Sequence, residues 1–166
     1  LGVEPNRIPL RPCASAALVH RAGLIDPTHI ALVVNPLTDE ADLTVQAGDT
    51  VVLMRTVRLP DPSQGESQQR ALVGEIRRTM AAVRQQLADR QVGQVVVCGS
   101  DSTFDLSSVL SSELDVPVTD FDPAANAPSG LASHGVSADS LSRFAAVLGM
   151  ALGEADRRPP IVDFAN

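Results

Sequence analysis

Tryptophan and tyrosine are absent from this 166-residue chain, and phenylalanine occurs only four times. An interior without aromatic bulk must be packed from Val, Leu, Ile and Ala. A surface without aromatics offers no stacking platform for single-stranded nucleic acid. Cysteine is also scarce: Cys13 and Cys98 stand alone, and neither has a second Cys or a His at metal-ligand spacing. That pattern supports neither a disulfide scaffold nor a metal site, and Cys98, after Val95-Val96-Val97, reads as a buried strand residue in a reducing compartment. Positive charge is in deficit, with 13 Lys and Arg against 20 Asp and Glu, a net charge of −7. Such a chain does not track a phosphate backbone without a basic stripe. The nearest candidate, Arg70, Arg77, Arg78 and Arg84 along one predicted helix, reads as a solvated face, so no nucleic-acid partner is expected. No signal peptide and no bilayer-spanning apolar run is visible. The chain opens on Leu1 rather than Met and ends in Arg157-Arg158-Pro159-Pro160 and six further residues, which reads as a piece of a longer protein.

What is present suits one domain of ordinary size, with 44% apolar residues. Residues 7–10 read as extended, because a residue preceding proline avoids the helical region. Cys13 to Ala22 reads as a short helix stopped at Gly23. His29 to Val34 is a continuous apolar run, the pattern of a strand buried on both faces. In the next strand Asp42, Thr44 and Gln46 alternate with Leu43 and Val45, which predicts one wet face. Gly48-Asp49 turns the chain into a third strand, Thr50 to Leu59.

From Glu66 to Asp89, Leu72, Val73, Ile76, Met80, Val83 and Leu87 form one apolar stripe on a long helix. A fourth strand is expected over Gln94 to Cys98. A helix is expected over Asp105 to Leu114, with the serines at 107, 108, 111 and 112 outward. A fifth strand is expected over Val116 to Phe121. Asp122 to Val136 has loop composition. Ser137 is placed to cap a final helix with Leu141, Phe144, Ala145, Leu148 and Leu152 inward. Gly149 and Gly153 on that helix either admit a close backbone or weaken it. The order βββαβαβα gives an α/β fold with a mixed five-stranded sheet and helices on its faces, the fourth and fifth strands being added beside the first by right-handed crossovers. The division expected is a leading strand and short helix over 1–28, one subdomain over 29–156, and a linker or tail over 157–166.

In this order and spacing the chain resembles the C-terminal half of the PilM-type actin-like proteins of type IV pilus assembly, relatives of the GspL-type cytoplasmic domain of type II secretion. The segments that carry the resemblance are Ile30 to Val34, Val51 to Val57, Glu75 to Thr79, Gln94 to Gly99, Pro117-Val118, Asp122-Pro123 and Phe144 to Leu152. It implies a ribonuclease-H-like, actin-like half. It also implies a phosphate-binding turn after the first strand, where the family has Asp-x-Gly and small hydroxyl residues, and a Gly-Gly adenosine loop after the fourth.

Here the first place reads Asn35-Pro36-Leu37-Thr38 and the second Cys98-Gly99-Ser100-Asp101. Asn35 lacks the carboxylate, Pro36 lacks an amide donor, Leu37 is bulky where the family has Gly, and Asp101 adds negative charge. Asn35, Thr38, Gly99 and Ser100 are therefore a vestigial cofactor site at most. No catalytic residue, metal or cofactor is expected, and ATP with Mg²⁺ enters only if a missing half supplies the contacts. A non-catalytic interaction module follows, with protein partners in a pilus or secretion apparatus at the cytoplasmic face of a bacterial inner membrane. A membrane segment is expected beyond Asn166. Oligomeric state and partner identity are left open, with an apolar patch expected on the side toward an absent N-terminal half.

The alternatives are the nucleotide-binding half of an active actin-like ATPase and, less favoured, a ribonuclease-H-like nuclease. The nuclease would use Asp39, Glu75 and Asp101 as metal-holding carboxylates. His20, His29 and His134 are scattered, no Gly-x-Ser-x-Gly elbow surrounds the serines, and Asp61, Glu66 and Glu75 form no acid–base pair.

Overall fold

A computed structural model describes residues 10–87, 90–99, 106–126 and 144–156. Pro12 opens the first helix, α1 (Arg11–Arg21), where a missing amide costs nothing. Gly23 ends it at φ +72°, and its amide donates to the carbonyl of His20. Then come β1 (Ile30–Pro36), β2 (Glu40–Ala47) and β3 (Thr50–Arg58). Gly48, at φ +64°, supplies the left-handed residue of the β2–β3 turn. Asp61 caps the 3₁₀ turn Pro62–Gln64 through the Ser63 amide, and α2 (Gly65–Gln86) follows directly. The remaining elements are β4 (Val92–Cys98), α3 (Leu106–Glu113), β5 (Val118–Phe121), a 3₁₀ turn Pro123–Asn126, and a helix that we call α4 (Ala145–Ala155).

The strands form one sheet in the order β3-β2-β1-β4-β5. β1 is antiparallel to β2 and β2 to β3, whereas β1, β4 and β5 run parallel. Each face is covered. On one side Leu32, Leu43, Val45, Val95 and Val97 pack with Leu72, Ile76 and Val83 of α2 and Leu110 of α3. On the other, Ala31, Val33, Val96, Cys98 and Phe121 pack with Leu18 and Val19 of α1 and Ala145 and Leu148 of α4. The large fully buried side chains, Leu18, Leu32, Leu43, Ile76 and Leu110 among them, each contribute about 1.5–3 kcal/mol on burial. They supply the core that the missing aromatics would otherwise fill.

The structure differs from the sequence-based expectation in places with clear physical causes. The predicted wet face of β2 is dry: Asp42, Thr44 and Gln46 are all buried, because α1 lies on that side of the sheet. β1 runs two residues further than expected, so Asn35 and Pro36 are strand residues paired with Asp42 and Ala41. Pro36 is tolerated there because β4 pairs with β1 only as far as Val34. Ser107 faces inward and donates to the Asp120 carboxylate rather than to solvent. Phe144, placed inward by its spacing, is 53% exposed at the start of α4. β4 starts two residues early, at Val92, and β5 two residues late, after Pro117, whose carbonyl accepts from Val95. Residues 7–9, Ser137, Leu141, His134 and the tail lie outside the described residues.

Candidate nucleotide site

In an open α/β sheet, ligands bind beyond the carboxyl ends of the parallel strands. Here that edge holds the ends of β1, β4 and β5, and it carries the turn after β1 and Gly99 after β4. Asn35 closes β1 on the α1 side of the sheet. It is only 4% exposed, and its Nδ2 donates to Ser15 Oγ at 3.2 Å. Ser15 Oγ in turn donates to the carbonyl of Arg11. Asn35 therefore ties β1 to α1 and does not project into the mouth of the edge.

In the turn that follows, the first available donor is used within the fold. Pro36 has none, and the Leu37 amide donates to the Glu40 carbonyl at 2.8 Å, closing the hairpin. Thr38 is exposed, and its carbonyl accepts from Gln68 Nε2 of α2 at 2.7 Å. At the end of β4, Gly99 has φ +58° and donates its amide to the Phe121 carbonyl at 2.9 Å. A turn that cradles phosphate does so with several unpaired backbone N–H groups pointing outward. At Leu37 and Gly99 those groups are engaged within the fold. Ser100 and Asp101 lie outside the described residues.

Beside Asn35 sits a network of three charged side chains. The Asp42 side chain is wholly buried, accepting from Arg11 Nε at 2.7 Å, Arg11 Nη2 at 2.9 Å and Thr56 Oγ1 at 2.6 Å. Arg11 also pairs with Glu40 at 2.6 Å. The fork of the guanidinium meets the carboxylate in the bidentate geometry that makes such pairs strong. The hydrogen bonds that Arg11 donates to Asp42 raise its pKa above its already high ordinary value. Three elements, α1, β2 and β3, are thus joined beside the end of β1. Sequence reading missed this cluster, since Asp42 has the spacing of a solvent-facing strand residue and Arg11 lies 31 residues away.

The other candidates are accounted for locally. Glu75 on α2 pairs with Arg55 at 2.8 Å and with Arg78, and the hydrogen bond from Arg78 holds its carboxyl below the usual range. No cluster of three metal-ligating His, Cys, Asp or Glu side chains occurs among the described residues, and Asp39 and Glu75 do not belong to one. The arginine face of α2 is paired: Arg70 with Glu66, Arg77 with Glu113, and Arg84 with the Gln91 side chain. His29 is held by Asp26 at 3.0 Å, and His20 is exposed on α1. Cys98 is buried and its thiol is pushed up to about 12 by desolvation. No described helix is long and apolar enough to cross a membrane.

Comparison with known proteins bears on the fold. No protein-family model matches the chain, and no curated protein sequence matches it. Among solved structures it is similar to a chain of the PilM–PilN type IV pilus biogenesis complex, at a TM-score of 0.65 and 19% identity, over 91% of this chain and 53% of that one. It thus spans about half the length of that relative. A weaker likeness, at a TM-score of 0.44 and 13% identity, is to a Bacteroides thetaiotaomicron protein of actin-like ATPase fold and unknown function, over 66% of this chain and 40% of that one. The mixed five-stranded sheet with helices on both faces is the actin-like, ribonuclease-H-like half-fold that the resemblance implied.

Proposed function

We propose that the chain is a non-catalytic actin-like module that works by binding proteins of a type IV pilus or related type II secretion assembly platform. The observation that carries the reading is the state of the would-be phosphate turn. Asn35 is committed to Ser15, Pro36 has no donor, and the Leu37 and Gly99 amides are bonded within the fold. The likeness to a PilM–PilN chain supports the pilus setting, and a place at the cytoplasmic face of a bacterial inner membrane is part of the proposal. The GspL-type relation is part of the same proposal. Phe144, Val147 and Met150 make an exposed apolar stripe on α4, a suitable surface for a protein contact.

One observation favours a second reading, in which a missing half completes an ATP site: Gly99 keeps the left-handed backbone of a loop glycine at the end of β4. Calorimetry with Mg-ATP on the longest form of the protein separates the two. The non-catalytic reading expects no heat of binding, and a micromolar Kd would replace it with the ATPase reading. In a host that assembles pili, deletion should abolish assembly and Thr38→Ala should restore it as well as wild type does. Failure of Thr38→Ala alone would point back to nucleotide.

A further inference from the structure

Two glutamines are held on the α1 and α4 face of the sheet, at the end opposite Asn35 and Gly99. Gln46 of β2 pairs in register with Ala31 of β1, and Ala31 pairs with Gln94 of β4. Residues paired across strands share a face, so the three form one row on the side covered by α1 and α4. Two strand spacings separate the glutamine backbones, about 10 Å. Gln46 is 0% exposed, and neither its Oε1 nor its Nε2 has a hydrogen-bond partner; nor has the buried Nε2 of Gln94.

Both irregularities of the sheet fall on this same row. β1 and β4 shift register between Ile30 and Ala31, which leaves Gly93 as the extra residue. β2 and β3 shift between Val45 and Gln46, which leaves Val52 as the extra residue. Bulges re-aim side chains and leave backbone groups unpaired. Gly93 also gives room for the His29 ring, which a Cβ at that position would overlap. Between the glutamines stands a methyl group, the side chain of Ala31, which is the smallest of the three side chains in the row.

We infer that the Gln46–Ala31–Gln94 row is an internal binding site for ordered water. The donor set selects that ligand. Gln46 Oε1 needs a donor, whereas Gln46 Nε2 and Gln94 Nε2 need acceptors. An anion would face Oε1 without a proton to give it, and a cation would face two N–H groups. Water both donates and accepts, and buried polar groups left unpaired by protein atoms are satisfied by such waters.

The test is a high-resolution crystal structure of the chain combined with water ¹⁷O relaxation dispersion in solution. The site predicts density within hydrogen-bond distance, about 2.7–3.2 Å, of Gln46 and of Gln94 Nε2. It also predicts a long-lived water contribution that Gln46→Leu or Gln94→Leu reduces. A direct Gln46–Gln94 hydrogen bond, or a dry row, would overturn the inference. So would a relaxation signal unchanged in a folded Gln46→Leu variant. If neither variant folds, the wild-type density decides by itself.

Discussion

Asp42 is sealed beneath α1 with Arg11 as its counter-charge, so the two residues test how firmly α1 is fastened to β2. Breaking a buried pair by removing one partner leaves a charge without compensation. Arg11 is partly exposed, which tempers the loss. We expect Arg11→Met to destabilise the fold by about 2 kcal/mol in urea melts. A change within experimental error would mean that Asp42 is hydrated rather than locked.

Acid titration probes a second residue. Hydrogen bonds from the Thr28 side chain and amide, then His29, hold the Asp26 carboxyl down to about 2. A depressed folded pKa contributes stability above the unfolded value, lost as pH falls through the folded one. For Asp26 the window runs from about 4 to about 2. We expect an NMR titration of its carboxyl carbon to have its midpoint near the lower end, and a midpoint near 4 would contradict the Asp26–Thr28 geometry.

The residue scale is also where sequence reading was weakest. The buried state of Cys98 was legible, because a run of valines precedes it. The roles of Arg11, Ser15 and Asp42 were not, because their meaning depends on α1 lying over β2.

At the scale of elements, α1 and α4 meet at Gly149. A Cβ there would overlap the carbonyl oxygen of Ala14, so the two helices approach backbone to backbone. At Gly153, one turn further on, nothing lies within 4 Å of the same position. Glycine in a helix interior costs about 0.5–1 kcal/mol relative to alanine, so the two sites should respond with opposite signs. Gly153→Ala should stabilise by roughly that amount. Gly149→Ala should destabilise by about 1–3 kcal/mol, the range for overpacking, as the helices are forced apart. Equal and favourable effects in thermal melts would show that the crossing is looser than described.

Element order, the long helix and the parallel additions were readable from periodicity, because α2 has one apolar face and β1 has two. The second face of β2 was misread for the reason that periodicity reports polarity, not burial. A strand of alternating polar residues looks wet until a helix with a matching arginine covers it. The same limit explains Phe144, whose spacing continues the inner face of α4 while its side chain stands in solvent.

At the scale of the molecule, the fold is a mixed five-stranded sheet with helices on both faces, shared with about half of a PilM–PilN complex chain. In it the Leu37 amide is bonded within the hairpin and the Gly99 amide to the end of β5. A likeness at 19% identity establishes the shared fold and leaves the chemistry of the turn to be read from these residues. The most direct measurement is a ¹H–¹⁵N titration of the chain with Mg-ATP, combined with amide hydrogen exchange. Even a half-site binding weakly would move the amides that donate to phosphate. We expect the Leu37 and Gly99 amides to exchange slowly and their cross-peaks to stay in place up to millimolar nucleotide. Saturable shifts confined to Leu37, Thr38 and Gly99 would show a working phosphate turn and contradict the non-catalytic reading.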